Sequence, residues 1–431
     1  MTDIIIYGRG KTGVALQKMT NSLGIESVFY DDERGFDEGG CFSENSVVVT
    51  SPGVKPTAKG MQLAEKNGAT IVSELDFCFP YCKSPCVSVT GTNGKTTTCQ
   101  MIFHLLTQAG KSARLLGNGG VPFSSEVLQT QPHEITVLES SSFQLANTQN
   151  FVPRISLLTN IAPDHLDYHG SLDEYIKAKR NNFCHQKGCD FAIFNADDPL
   201  ALQASADSPA FTLYYSVCNP NANCYYQNKV LHLNFNGQQV NYGYDLTYLP
   251  KHNLSNLLGA ILACYLLGVS VNDSCKYAES YRFLPHRLQT VARINGVTFV
   301  DDSKATNVHA TVSALQCFEN VPLALILGGS DKGCAFDDIF LNVHTNVRAI
   351  CAVGETSERI AETAQKYFVS VKKCADYKQA VEFCYRRMKN IGGVVLMSNA
   401  CASFDLFSGY SERGDYFAKL VGELCGDEKK D

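Results

Sequence analysis

The sequence predicts an α/β protein of three domains, and three observations predict it. Short runs of apolar and β-branched residues alternate with segments of helical periodicity, the pattern of parallel strands joined by crossover helices. That pattern begins afresh three times along the chain. Two of the beginnings lead from a strand through a glycine-rich turn into a helix, a geometry that offers backbone N–H groups to phosphate.

Taken in order, the first domain (1–84) opens with the strand Ile4–Tyr7, a glycine loop and a helix to about Leu23. Strands Ser27–Tyr30 and Val47–Thr50 follow, and FCFPYCKSP reads as the linker out of a Rossmann-like fold. The spacing Gly8–Gly13 fits G-x-G-x-x-G, and Asp31 ends the next strand about twenty residues on, a dinucleotide fingerprint when taken alone. The central domain (85–285) carries strands Cys86–Thr90, Ile135–Glu139, Ile155–Asn160 and Phe191–Asn195, a P-loop-type, mostly parallel sheet. FTLYYSV, YYQNKVLHLNF and QQVNYGYDL then read as a small antiparallel side sheet, before helices at 252–267 and about 273–283. Pro285 marks the break to a C-terminal Rossmann-like domain (286–431) with strands VTFV, LALIL, AICAV and VVLMS.

Composition bounds the function. With 431 residues, 45% of them hydrophobic, the chain can bury several cores. Its 37 basic and 43 acidic residues leave a net charge of −6, which argues against nucleic acid or an anionic membrane as the main partner. No run of about 18 apolar residues would span a bilayer. The segment MTDIIIYGRG is read as neither signal nor transit peptide, so a cytoplasmic protein with reduced thiols is expected. Among the 18 cysteines, Cys78, Cys82 and Cys86 recur every four residues, but Pro80 and Pro85 interrupt the helix that would align them on a metal.

The segment Val89–Thr98, VTGTNGKTTT, is the most informative. Its glycines let backbone wrap around phosphates, Lys95 would neutralise the outer ones, and the Thr96 hydroxyl would meet Mg²⁺. A strict Walker A loop has glycine where this chain has Val89, so the loop is a variant. Lys179 stands out by position. Ser171 and Glu174 have capping-box spacing, and Leu172, Tyr175, Ile176, Lys179 and Phe183 then share one helical face. A lysine there is paired, neutral or modified, unless it snorkels to the surface. Glu139, at the C-terminal end of a strand, is either a ligand-site acid or a surface glutamate. The cluster Asp164–His169 is either a site or a solvated loop.

GTNGKTTT resembles the ATP loop of the Mur ligase superfamily, which also includes the folylpolyglutamate synthases. Further motifs carry the resemblance in order: NGG at Asn118–Gly120, LESSSFQL from Leu138, TNIAPDHLDYHGS from Thr159, HNLSN from His252, PHR at Pro285–Arg287, DDSKATN from Asp301, GGSDKG from Gly328 and MSNACASFD from Met397. The DSKATN and ACASFD runs look like the D-glutamate-adding branch. The resemblance implies ATP and Mg²⁺, with UDP-N-acetylmuramoyl-L-alanine and D-glutamate as small-molecule substrates of a monomeric enzyme. It further implies an acyl phosphate that the amine attacks through a tetrahedral intermediate.

Carried over residue by residue, it assigns Gly91, Thr92, Asn93, Gly94, Lys95, Thr96 and Thr97 to the nucleotide phosphates. It assigns Asn253 and Asn256 to adenine and Asp302 to the ribose, with Asp301 an equal candidate, while His286 and Arg287, after a proline at a domain junction, are placed as the cations that reach ATP. Thr96, Glu139, His165 and a carbamylated Lys179 become the metal-holding set, and Lys95, Glu139, His165 and Lys179 the catalytic one. Lys11, Thr12, Asp31, Ser51, Gly53 and Asn118 are implied for the uridine nucleotide-sugar, and Lys11 stands where the family more often has an apolar residue. Thr306, Lys332, Ser403, Phe404 and Tyr410 are implied for D-glutamate, Tyr410 where the family often has phenylalanine. Two rivals stay open: a sibling or folate-type ligase, and an NAD-dependent oxidoreductase built on Gly8–Gly13.

Overall fold

The computed structural model describes residues 3–37, 40–247 and 249–427. The chain divides into two compact units, 1–281 and 282–431. Among the described residues, three sheets of five, nine and six strands organise them.

The first sheet orders Gly35–Phe36, Ser27–Asp31, Asp3–Tyr7, Ser46–Thr50 and Thr70–Ser73, parallel except for the short Gly35–Phe36 edge. Helix Lys11–Ser22 starts directly at the glycine loop. Gly13 has no alternative there, because a Cβ on it would lie 1.9 Å from the Gly8 carbonyl oxygen. Ile4, Leu16 and Phe29 share one core with Phe123, Leu138 and Phe151 of the second sheet's layer. The FCFPYCKSP segment is itself packed, with Cys78 buried and the Phe79 ring 5.0 Å from Phe151.

In the nine-stranded sheet, Cys86–Thr90 lies between Ile155–Leu158 and Ile135–Glu139, all parallel, with Ala113–Gly117 at one edge and Phe191–Asn195 beyond Ile155–Leu158. Register sets Val89 beside Glu139 and Thr90 beside Leu158, so the loops that follow these three strands leave one edge together. This is the crevice at a change of strand order where open α/β sheets take ligands. One expectation is corrected: Phe211–Ser216 pairs parallel with Phe191–Asn195, and only Cys224–Gln227, Val230–Phe235 and Gln238–Gly243 are joined antiparallel, continuing the same sheet. The short helix Pro199–Ser205 makes the crossover that parallel pairing requires.

The six-stranded sheet orders Gln289–Ile294, Val297–Asp301, Gly393–Met397, Leu323–Leu327, Val347–Ala352 and Lys372–Lys373. Gln289–Ile294 was not foreseen. It pairs antiparallel with Val297–Asp301 across Asn295–Gly296, both at positive φ, the hairpin signature of an Asn-Gly dipeptide. The ends of Val297–Asp301, Leu323–Leu327 and Gly393–Met397 release the DDSKATN, GGSDKG and MSNACASFD loops at one edge. Among the described residues no helix is long and apolar enough to cross a membrane.

Candidate active site

The residues after strand Ile155–Leu158 brace the phosphate loop. Thr159 Oγ1 donates to the Asn93 carbonyl at 2.6 Å, Asn160 Nδ2 donates to it at 3.0 Å, and Asn93 N–H donates to Asn160 Oδ1 at 2.9 Å. Thr92 Oγ1 donates to the Ala162 carbonyl at 3.0 Å and lies 3.1 Å from the Tyr175 hydroxyl. Gly91 and Gly94 adopt φ of +143° and +84°. A Cβ on Gly94 would sit 2.4 Å from Asn256 Oδ1, which puts the buried Asn256 of helix Lys251–Leu266 against the loop. Asn253 is buried on the same helix. Helix Lys95–Gln108 then starts at Gly94 with Thr96 and Thr97 in its first turn, so free N–H groups and the positive dipole end point out of the loop.

Two lysines converge there. Lys95 Nζ donates to the carbonyls of Gly91 at 2.9 Å and Thr92 at 2.8 Å. Lys179 Nζ donates to the same Gly91 carbonyl at 2.7 Å and lies 4.3 Å from the Tyr175 ring centroid. Lys179 is 1% exposed, so it does not snorkel. Burial, and then the charge of Lys95, push its ammonium well below the usual lysine range. Ser171 caps this helix by accepting from Glu174 N–H, while the Glu174 carboxylate pairs with Lys177.

Glu139 ends its strand buried. Asn118 donates from Nδ2 to Glu139 Oε1 at 3.0 Å, and a Cβ on Gly119 would meet Glu139 Oε2 at 2.4 Å. Asn118, expected at the nucleotide-sugar, thus touches the expected metal carboxylate. His165 sits in the left-handed region (φ 54°), its N–H donating to Asp164 Oδ1 at 2.9 Å and its ring against Phe143. Among the described residues no three His, Cys, Asp or Glu side chains gather as a protein-only metal cage. One buried carboxylate and a helix-terminal hydroxyl still suit Mg²⁺, which usually keeps waters and shares substrate phosphates.

In the first sheet, Lys11 and Thr12 begin the helix after the glycine loop, and Ser51 N–H donates to the Tyr7 carbonyl at 2.9 Å, with Gly53 two residues further. Asp31 accepts from Arg9 Nε at 2.6 Å and from Arg34 N–H at 2.7 Å, and these bonds hold its carboxyl below the ordinary range. Arg9, which the sequence reading passed over, also lies over the Phe29 ring and pairs with Asp37.

In the second unit, His286 Nδ1 lies 2.7 Å from Asp301 Oδ2, and Arg287 follows it. Asp302 accepts from Ser398 Oγ at 2.7 Å. Thr306 leads into helix Val308–Gln316, and Lys332 lies in the turn after Leu323–Leu327. Ser403 is buried, Phe404 is 73% exposed, and the Tyr410 ring stacks under Lys304 Nζ at 4.0 Å. Arg413, also passed over, is fully buried: it donates to Ser303 Oγ and Ser303 O at 2.8 Å and to the Cys401 carbonyl at 3.1 Å, tying the DDSKATN loop to the ACASFD loop.

Burial raises the Asp302 carboxyl to about 7, against the opposing pull of Ser398, the Leu288 N–H and Arg287. The folded state therefore holds a proton that the unfolded chain has released. Its contribution to stability is intact below pH about 4 and is lost as pH rises through about 7. Asp302→Asn should flatten that decline, so its melting temperature relative to the parent should climb between pH 5 and 8. Parallel melting curves across that range would dismiss a buried, proton-holding Asp302.

Residues 89–264 match the Mur ligase middle domain, and residues 286–401 match the Mur ligase glutamate ligase domain. The chain is 33% identical over 424 residues to the UDP-N-acetylmuramoylalanine–D-glutamate ligase of Alkaliphilus metalliredigens, covering 97% of this chain and 93% of that protein. It is 32% identical over 445 residues to the ligase of the same name from Pelotomaculum thermopropionicum, covering 98% and 97%. Among solved structures, a pseudomurein peptide ligase type C from Methanothermus fervidus superposes with a TM-score of 0.64 at 15% identity, over 98% of this chain and 100% of that one. The UDP-N-acetylmuramate-alanine ligase of Thermotoga maritima does so with a TM-score of 0.60 at 17% identity, over 98% and 100%. These two likenesses speak to the fold.

Proposed function

The chain belongs to the Mur ligase family, and from that membership we propose that it joins D-glutamate to UDP-N-acetylmuramoyl-L-alanine at the expense of ATP, in the cytoplasm. It is an ATP-dependent ligase that forms an amide bond in peptidoglycan precursor synthesis. The observation that carries the mechanism is Lys95 at the start of the helix after the phosphate loop, its Nζ on the Gly91 and Thr92 carbonyls, with Lys179 Nζ on the same Gly91 carbonyl. A carboxylate and a triphosphate repel, and a fixed cation at Lys95, with the positive end of its helix, lowers that repulsion where it matters, as the γ-phosphoryl group moves.

In this reading Gly91–Thr97 cradle the phosphates, and Asn253 and Asn256 back the adenosine. Asp302, or its neighbour Asp301, meets the ribose, with His286 and Arg287 at the phosphates. Thr96 and Glu139 would hold Mg²⁺, with His165 and a carbamylated Lys179 toward a second ion; the metal supplies charge neutralisation of the phosphates. Lys11, Thr12, Asp31, Ser51, Gly53 and Asn118 hold the nucleotide-sugar, so that its carboxylate takes the phosphoryl group. Asn118 supports Glu139 from the adjoining loop. Thr306, Lys332, Ser403, Phe404 and Tyr410 receive D-glutamate, whose two carboxylates suit a lysine and hydroxyls. Its amine then attacks the acyl phosphate and phosphate leaves. The division into domains 1–84, 85–285 and 286–431 follows these three roles.

Phosphate release across a panel of amino acids tests the reading. Release is expected only when UDP-N-acetylmuramoyl-L-alanine and D-glutamate are both present. Equal release with L-glutamate, or release with a folate acceptor, would assign the chain to a sibling or folate-type ligase. The oxidoreductase that Gly8–Gly13 alone would suggest is overturned by the family match.

A further inference from the structure

The run Asp164–His169 leaves Asp167, Tyr168 and His169 without a part in the chemistry above, yet each has a partner distant in the chain. They occupy a four-residue helix, Leu166–His169, between His165 in the left-handed region and Gly170 at φ +79°. Tyr168 Oη donates to the Val54 carbonyl at 2.9 Å, and Lys55 Nζ pairs with Asp167 at 3.2 Å. His169 Nε2 lies 3.0 Å from Ser142 Oγ. The Phe143 ring, four residues past Glu139, gathers the rest: His165 at 4.7 Å, Tyr168 at 4.5 Å edge-on and His169 at 5.7 Å stacked.

The helix therefore ties the Ser51–Val54 loop of the first sheet to the turn after Glu139 in the second, with His165 as its first neighbour. A residue such as His165, held in a sparsely populated conformation, stays there only because its surroundings over-determine it. The Lys55–Asp167 pair is exposed and contributes little. The half-buried Tyr168 hydroxyl, donating to a backbone carbonyl, is the stronger link. We propose that Tyr168 is a positioning residue that couples the nucleotide-sugar loop to the placement of His165. The inference rests on the reading above that Ser51 and Gly53 meet the nucleotide-sugar and that His165 stands toward the second ion.

The test is Tyr168→Phe, which keeps the ring against Phe143 and removes only the hydroxyl. ADP formation is followed in a single turnover with ATP, Mg²⁺ and UDP-N-acetylmuramoyl-L-alanine before D-glutamate is added, and each substrate's KM is measured. For a lost hydrogen bond of ordinary strength, kcat/KM for the nucleotide-sugar should fall roughly three- to tenfold with a slower ADP burst. The KM values for ATP and D-glutamate should stay within about twofold. Tyr168→Leu, which also removes the ring, should fall further in the same parameters. An unchanged burst and unchanged nucleotide-sugar KM in Tyr168→Phe would overturn the proposal. So would a parallel shift of all three KM values together with the melting temperature, the mark of a merely structural residue. A parent enzyme that forms no ADP with the nucleotide-sugar would instead remove the underlying reading.

Discussion

Lys95→Ala is expected to lose at least about a hundredfold in turnover, the scale seen when a preorganised donor to developing charge is removed. The geometry explains why the loss should fall on the rate rather than on folding. Lys95 Nζ is spent on two loop carbonyls, at 2.9 and 2.8 Å, which are neutral acceptors that a γ-phosphate would outbid. In the variant the Gly91 carbonyl keeps a donor, since Lys179 Nζ already sits 2.7 Å from it. Thr92 and Asn93 remain tied to Ala162, Thr159 and Asn160. The melting temperature should therefore hold within a few degrees while phosphate release collapses. Near-normal turnover in Lys95→Ala would falsify the placement of the triphosphate in this loop.

What the sequence made legible is what local chemistry dictates. Glycines at 91 and 94 before Lys95, and strands that stop at Thr90 and Glu139, announce a phosphate crevice because the backbone conformation and the strand ends are set within a few residues. The rule that found Lys179, a cation on an otherwise apolar helical face, also applies to Arg413, with Phe417, Leu420 and Val421 at four, seven and eight residues on. Arg9 and the hydroxyl of Tyr175 carry no such signal, since their partners Asp31, Asp37 and Thr92 lie 22, 28 and 83 residues away. The strand Phe211–Ser216 was misread for a related reason. Its direction is fixed by how the chain returns through Pro199–Ser205, and alternation of residues is the same for either direction.

Lys179→Ala should likewise lose at least about a hundredfold in rate, and part of that loss should return with formate or acetate. The lysine is buried to 1% exposure, shares one carbonyl with a second ammonium, and rests on an aromatic face. Desolvation and Lys95 both favour the neutral amine. A neutral amine is a nucleophile: its lone pair can add to the carbon of CO₂, one proton leaves the nitrogen, and a carbamate anion remains. The change converts repulsion between positions 95 and 179 into attraction and supplies an oxygen donor of the kind Mg²⁺ prefers. Truncation to alanine empties the length of a lysine side chain beside the Gly91 carbonyl, room for a small carboxylate to stand where the carbamate would. The Tyr175 hydroxyl, 3.1 Å from Thr92 Oγ1, should keep the loop in place in the meantime. Recovery is expected to rise with acid concentration and saturate, with chloride inert at equal ionic strength. Activity lost without any such recovery would leave Lys179 as an ammonium that steadies Gly91, and the anionic role would have to be given up.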